Sequence, residues 1–264
     1  MKYKLGIIGL GNMGSAILSG VENDFDGRIL VSTLEPPKIN IKNADVIFDN
    51  VFLAQNCEYI LIAVKPKDAP AILTEIAPYI SNEQTFISIM AGIKISTILK
   101  YLPNIGTVAR VMPNLGAKIN QSCSGIAFYN ASTEAQDFVT NLFSRIGKVV
   151  VLEEEKMDAV TAVSGSGIAY VYYFIDSLIK AGEKIGLSAE ESRQLVLQTV
   201  LGGVKMVESH PNQKIQDMID AVCSKGGTTI EAINTLKNYE FDKIIQTAVE
   251  AAYKKSIKLS EDNQ

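Results

Sequence analysis

Two short stretches place residue types where they could do chemistry. "GLGNMG" sets Gly9, Gly11 and Gly14 at G-x-G-x-x-G spacing, directly after the apolar run "LGIIG" and before the helix-like "SAILSGV". Gly9 permits a tight turn, Gly11 lets a pyrophosphate approach the backbone, and Gly14 allows close helix-to-strand packing. The helix start beyond the loop, through Asn12 and Met13, offers unpaired N–H groups and a positive dipole end. The bland alternative is a glycine-rich turn with no ligand. The second stretch, "SKGGTT" at 224–229, places Gly226 and Gly227 before another helix start. Such a glycine pair presents N–H groups in a concavity suited to a carboxylate, and Thr229 offers a hydroxyl to whatever that carboxylate carries. Thr228-x-x-Glu231 also reads as a capping box. A dinucleotide brings a hydride but no substrate, so the second half of the chain has to provide the substrate pocket.

The elements that must position these loops divide the chain. Before Leu152, short β-branched runs ("LGIIG", "RILVS", "YILIAVKP", "TFISIM", "GTVARVMPN", "GKVVVL") alternate with helix-like segments. Continuous apolar runs of that kind indicate a parallel sheet buried on both faces, in a doubly wound α/β arrangement. After Leu152 the strand signals stop and helices follow, separated by "GLSAEE", "SHPN" and "SKGG". The expected organisation is a dinucleotide-binding domain over 1–152 and a helical domain over 153–264. Within the second, the uncharged run between Asp158 and Asp176 is too short and polar for a membrane span and reads as a buried helix.

The tip of the second strand, "VSTLEPPK", bears on the choice of dinucleotide. Ser32 and Thr33 could bind a 2′-phosphate and Lys38 could neutralise it, whereas Glu35 would repel it. NADPH and NADH both stay open. The 25 Lys and Arg against 29 Asp and Glu give a formal net charge of −4, which lacks the footprint of a nucleic-acid binder. A small-molecule substrate fits better. Three widely spaced cysteines suit neither a disulfide framework nor a zinc site, so no metal is expected and the compartment reads as reducing, hence cytoplasmic. The lone His210, in "SHPN", reads as a loop residue.

One further segment breaks helical habit: "AVSGSGIAYVYYF" at 162–174 sets Ser164, Gly165, Ser166 and Gly167 inside an apolar helical stretch, where each glycine costs about 1 kcal/mol relative to alanine. Either tight packing or a substrate role would account for it. Taken with "GIIGLGNMGSAI", "AVKP", "RVMPN" and "VCSKGGTTIEA", it resembles the successive motifs of the Δ1-pyrroline-5-carboxylate reductases over essentially the whole chain. The resemblance implies a Rossmann-type doubly wound parallel sheet, then an all-helical dimerisation domain, with a site between them that reduces a cyclic imine to L-proline using NADPH, or alternatively NADH. It also implies that Asn50, Ala63, Val64, Lys65 and Pro66 line the cofactor. By the same resemblance Ser224, Gly226, Gly227 and Thr228 belong to the carboxylate loop, and Thr229 is the hydroxyl beside the ring nitrogen.

The chain departs from the family pattern at Ile168 and Lys225, which stand where prolines are usual, and at Leu115-Gly116, which replace a polar residue and a proline. The segment from Pro36 to Asp49 is shorter than a usual second helix, and Glu35 stands where a small hydroxyl residue is common. A β-hydroxyacid dehydrogenase has a similar layout but needs a lysine soon after its glycine motif; here none follows Gly167 until Lys180. The alternative of another class is a dinucleotide-binding regulatory or redox-sensing protein without turnover. Long apolar helices at 157–181 and 240–258 exceed what about 110 residues can surround, so a homodimer or a higher oligomer built from dimers is expected.

Overall fold

The computed structural model describes residues 1–37 and 39–263; Lys38, invoked above for phosphate binding, lies outside them. Contacts divide the chain into two compact units, one formed by Met1–Ile168 with the chain end from Ala251, the other by Ala169–Glu250.

The first unit is built on one sheet of eight strands: β1 (Tyr3–Ile8), β2 (Ile29–Ser32), β3 (Ala44–Ile47), β4 (Cys57–Ile62), β5 (Thr85–Ser88), β6 (Thr107–Met112), β7 (Ser122–Tyr129) and β8 (Gly147–Val151), in the order β3-β2-β1-β4-β5-β6-β7-β8. Strands β1 to β6 pair in parallel, β7 runs antiparallel to β6, and β8 is parallel to β7. Helices α1 (Asn12–Val21), α2 (Asn50–Asn56), α3 (Ala69–Ile76), α4 (Ile95–Tyr101) and α5 (Thr133–Ser144) cover both faces. The period of two in each strand divides the core. Ile8, Ile60, Ile62, Phe86 and Val108 pack with Leu53, Leu73 and Ile98 on one face, while Ile7, Leu61, Ile87, Ala109 and Val111 pack with Ile17, Leu18, Val139 and Phe143 on the other.

Two strands differ from the sequence expectation. β3 is short and holds an aspartate, and β7 opens "SCSG", with Ser122, Ser124 and Gly125 buried, before its core residues Ile126 and Ala127. Gly125 has to be small, since a Cβ there would stand 2.7 Å from Val160 Cγ1. The crossover to β3 contains no helix among its described residues, in keeping with Pro36-Pro37. The buried Glu22, which ends α1, ties that crossover down by accepting the Lys42 and Asn43 N–H groups at 2.9 and 3.4 Å.

From Glu154 onward the chain is helical: α6 (Met157–Val160), a π-helical turn (Thr161–Gly165), α7 (Gly167–Lys184), α8 (Ala189–Ser209), α9 (Ile215–Val222), α10 (Thr228–Asn238) and α11 (Phe241–Asp262). The end of α11 belongs to the first unit, where Asp158 accepts the hydroxyls of the buried Ser256 and Ser260 at 2.7 and 3.0 Å. α7 is not a buried helix within this chain, contrary to the sequence expectation. Tyr172 is 63% and Tyr173 77% exposed. Across Ala169–Glu250 the only buried residue is Ser192, whose hydroxyl donates to the Ile179 carbonyl.

Candidate active site

The strand order reverses between β1 and β4, which makes their carboxyl ends the switch point of the sheet, the usual seat of a nucleotide in such folds. Both ends are anchored there, Ala63 N–H donating to Ile8 O and Gly9 N–H to Ser32 O, each at 2.8 Å. Three glycines then shape the loop in three ways. Gly9 takes φ +97°, and a Cβ there would stand 2.9 Å from Val64 Cγ1. At Gly14 a Cβ would collide with the Gly9 carbonyl oxygen and stand 3.1 Å from the Ala63 Cβ. Gly11 faces open space, with nothing within 4 Å of its Cβ position. Two of the glycines are therefore needed for packing, and the third leaves room for something outside the chain.

Gly11 is the N-cap of α1 and caps it with no side chain; the first turn, Asn12, Met13 and Gly14, holds no acidic residue. Free N–H donors and a positive dipole end in an uncluttered loop suit a pyrophosphate. Beside it, Val64 packs on the core, and exposed Lys65 precedes the 3₁₀ turn Pro66–Asp68, placing Ala63, Val64, Lys65 and Pro66 along the end of β4.

The tip of β2 is arranged differently from a simple phosphate pocket. Ser32 is buried and donates to Asn50 Oδ1 at 2.7 Å, and Thr33 donates to the Glu35 carbonyl at 3.1 Å. Both hydroxyl protons are thus committed inside the protein. Asn50, at the start of α2, in turn donates from Nδ2 to Glu75 Oε2 at 2.9 Å. Glu75 was not singled out from the sequence, where it is one more charge on the amphipathic α3. Only the fold brings it to Asn50, adding a second carboxylate to the exposed Glu35 at this end.

In the second unit, α9 ends at Cys223 and the loop Ser224-Lys225-Gly226-Gly227 leads into α10. Gly226 adopts φ +73° with open space around it, while a Cβ on Gly227 would collide with Ser224 Oγ. Gly227 N–H closes the turn on Ser224 O at 3.0 Å. One expectation needs correction: Thr228 and Glu231 do not form a capping box. Gly227 is the N-cap, without a side-chain bond, so Thr228 is already helical and Glu231 lies one residue too far along. The box present in this unit is Ser188 with Glu191, at the start of α8. The correction leaves the first N–H groups of α10 without a side-chain cap, with Thr229 exposed in its first turn. His210 ends α8, its Nδ1 3.0 Å from Met206 O.

Comparison with known proteins agrees with this geometry. Residues 154–259 match the family model described as pyrroline-5-carboxylate reductase dimerisation, and residues 4–92 match that described as NADP oxidoreductase, coenzyme F420-dependent. A pyrroline-5-carboxylate reductase of Staphylococcus aureus (strain COL) is 33% identical over 97% of this chain and 98% of its own length. The chain belongs to the pyrroline-5-carboxylate reductase family. Among solved structures, the Plasmodium falciparum pyrroline carboxylate reductase with NADP bound superposes with a TM-score of 0.86 at 35% identity, covering 98% of this chain and 99% of that one. A Coxiella burnetii pyrroline-5-carboxylate reductase gives 0.90 at 26% identity, with the same coverage.

Membership makes the chain an NAD(P)H-using oxidoreductase that forms homo-oligomers. Among the described residues no helix is long and apolar enough to cross a membrane, and no group of three or more His, Cys, Asp or Glu side chains is arranged to hold a metal ion. The three cysteines are free thiols, and burial pushes the Cys57 thiol up to about 12.

Proposed function

We propose that this reductase converts Δ1-pyrroline-5-carboxylate to L-proline, the closing step of proline biosynthesis, with Gly9, Gly11, Asn12, Met13 and Gly14 seating the dinucleotide and Ser224 to Thr229 seating the substrate. The observation that carries the reading is that both glycine-fronted helix starts, Gly11 before Asn12 and Gly227 before Thr228, lack a side-chain cap. Each is a seat for an anion, one sized for a pyrophosphate and one for a carboxylate.

The bound nicotinamide dinucleotide supplies a hydride. The residues of the chain orient, bind and exclude water. A protonated imine is already an electrophile, so no strong acid is needed, which accords with a single histidine placed at the end of α8. The substrate carboxylate accepts from the N–H groups of Thr228 and Thr229 and from the Ser224 hydroxyl. Thr229 Oγ1 holds the ring nitrogen, a positioning role suited to a neutral hydroxyl. The proton already on that nitrogen stays with the product amine.

Asn50 lines the seat at the adenosine end, where Ser32 acts through it, and Ala63, Val64, Lys65 and Pro66 line it along the end of β4. Thr33 shapes the loop that carries Glu35. NADPH is the assigned donor and NADH the alternative; Glu35 and Glu75 favour the latter by repelling a 2′-phosphate. The assembly is a two-fold dimer or a multiple of it, and three free thiols with a net charge of −4 suit a cytoplasmic enzyme without nucleic-acid partners. The deciding assay is imine-dependent oxidation of NADPH or NADH by the purified protein. No oxidation by folded protein that binds the dinucleotide would reject the reading.

A further inference from the structure

At the carboxyl end of β6 lies a partly buried chain of hydrogen bonds that the reading above does not use. Asn114, 8% exposed, accepts the Gly116 N–H on Oδ1 at 3.0 Å and donates from Nδ2 to the half-buried Ser164 Oγ at 3.0 Å. Ser164 in turn donates its hydroxyl hydrogen bond to the Cys123 carbonyl at 2.8 Å. The direction follows from chemistry: a backbone N–H can only donate, so the carboxamide oxygen must face Gly116 and the amide nitrogen must face Ser164. Asn114 N–H is itself held by Ser122 Oγ at 3.0 Å. Any residue at 116 except proline supplies that N–H, so this orientation of Asn114 is fixed by the backbone.

Ser164 sits in the π-helical turn Thr161–Gly165, where Ser166 N–H reaches Thr161 O at 2.8 Å. The same turn lies against the side chain of Met112 at the end of β6, since a Cβ on Gly165 would stand 2.6 Å from Met112 Cε. A widened turn of this kind interrupts a helix and is found frequently at functional sites. Its place on the sheet points the same way. A dinucleotide with its adenosine ribose on the β2 side of the switch point would have its nicotinamide half toward β4, β5 and β6. At the usual strand spacing, β6 ends about 10 Å from β4.

We propose that Asn114 and Ser164 are positioning residues for the reduction, holding the π turn as a fixed wall at the nicotinamide end of the seat. They donate no atom to the reaction; they keep the hydride donor from wandering out of line with the imine. This deepens the reductase reading and rests on it.

The test uses the full-length oligomer with Asn114→Asp, Ser164→Ala, Ser164→Thr and the double variant Asn114→Asp/Ser164→Ala. Asn114→Asp keeps the shape and the bond from Gly116 but loses the donor to Ser164. Four readouts are taken: kcat and KM for the imine, dinucleotide affinity from nucleotide fluorescence, melting temperature, and backbone hydrogen exchange over 161–166.

The expected result is a kcat at least tenfold lower in Asn114→Asp and in Ser164→Ala, with dinucleotide affinity within twofold. Exchange should rise over 161–166 alone, and the double variant should be no slower than the slower single one, because both break one lock. Ser164→Thr, which keeps the hydroxyl, should recover most of the rate. Faster exchange at the turn with kcat within twofold would overturn the proposal, as would rate losses that add in the double variant or that follow lost dinucleotide affinity. Failure of the wild-type protein to bind dinucleotide would instead count against the seat itself.

Discussion

Alanine at Gly11 and at Gly14 should produce opposite defects, because the two glycines answer different neighbours. At Gly14 the new Cβ would lie about 1 Å inside contact with the Gly9 carbonyl oxygen, with the Ala63 Cβ 3.1 Å away. The neighbour on the closer side is backbone, which cannot swing aside. Overpacking of this kind costs about 1–3 kcal/mol, and for a chain of this size each kcal/mol lowers Tm by roughly 2–4 °C. Gly14→Ala should therefore melt about 2–12 °C lower. At Gly11 no atom lies within 4 Å and φ is −68°, which alanine adopts freely. The only intrinsic cost is a weaker N-cap, under about 1 kcal/mol. The methyl group would instead fill the space that a pyrophosphate needs. Losing even one charge-assisted bond, at about 1.5–3 kcal/mol, weakens dinucleotide binding by roughly 10- to 100-fold. Nucleotide fluorescence titration and thermal melting of the two variants separate these effects. Unchanged dinucleotide affinity in Gly11→Ala would refute the assignment of this loop as the pyrophosphate seat.

Thr229→Ala should lower kcat at least tenfold while dinucleotide affinity and Tm hold, whereas Thr228→Ala should leave stability within about 0.5 kcal/mol because Gly227, not Thr228, caps α10. Steady-state kinetics and melting check both, and wild-type turnover in Thr229→Ala would remove that hydroxyl from the site. At the adenosine end, Glu35→Ser and Glu75→Gln should each raise the NADPH to NADH ratio of kcat/KM several-fold; an unaltered ratio in both variants would show that neither carboxylate faces the 2′ position. Asp158→Ala strands two hydroxyls, that of Ser260 fully buried, and should destabilise by about 2–4 kcal/mol, read from denaturant unfolding. Because burial pushes the Cys57 thiol up to about 12, a disulfide reagent at pH 8 should titrate at most two of the three thiols until the protein is unfolded; three fast thiols in the native state would contradict its burial.

What the sequence made legible follows from how strongly each feature is written in local residue types. β1, β2, β4, β5 and β6 announce themselves as β-branched runs because a strand buried on both faces needs apolar side chains in both directions, whereas β8 is read from its valines although Val150 and Val151 stand exposed at the sheet edge. β3 stays hidden as a short edge strand with Asp45, and β7 because its apolar residues from Ile126 follow the serines and glycine of "SCSG". The glycine loop was readable because its three glycines serve three local needs. The capping box at Thr228 was misread by one residue, since sequence spacing alone does not say whether Gly227 or Thr228 begins the helix. Glu75 and the Asn114–Ser164 bond were not visible at all. Their partners lie 25 and 50 residues away in the chain, and only the sheet order brings them together.

The contrast between the units explains why catalysis and assembly are linked in this chain. The sheet closes its own core, with Leu5, Ile7, Ile17 and Phe86 wholly buried and helices on both faces. The stretch Ala169–Glu250 buries no apolar side chain, and Ile185 stands 83%, Tyr173 77% and Val222 65% exposed. Each large apolar side chain left in water forgoes about 1.5–3 kcal/mol, and a helical unit with so many cannot outweigh the entropy of ordering its backbone. Association of like chains supplies the missing surface, which accounts for a dimerisation model matching this part of the sequence. The loop Ser224–Gly227 and the start of α10 stand on these same helices. With this loop as the proposed substrate seat, its geometry is stable only to the extent that the oligomer is, so dissociation should abolish turnover while the sheet of the first unit still binds dinucleotide.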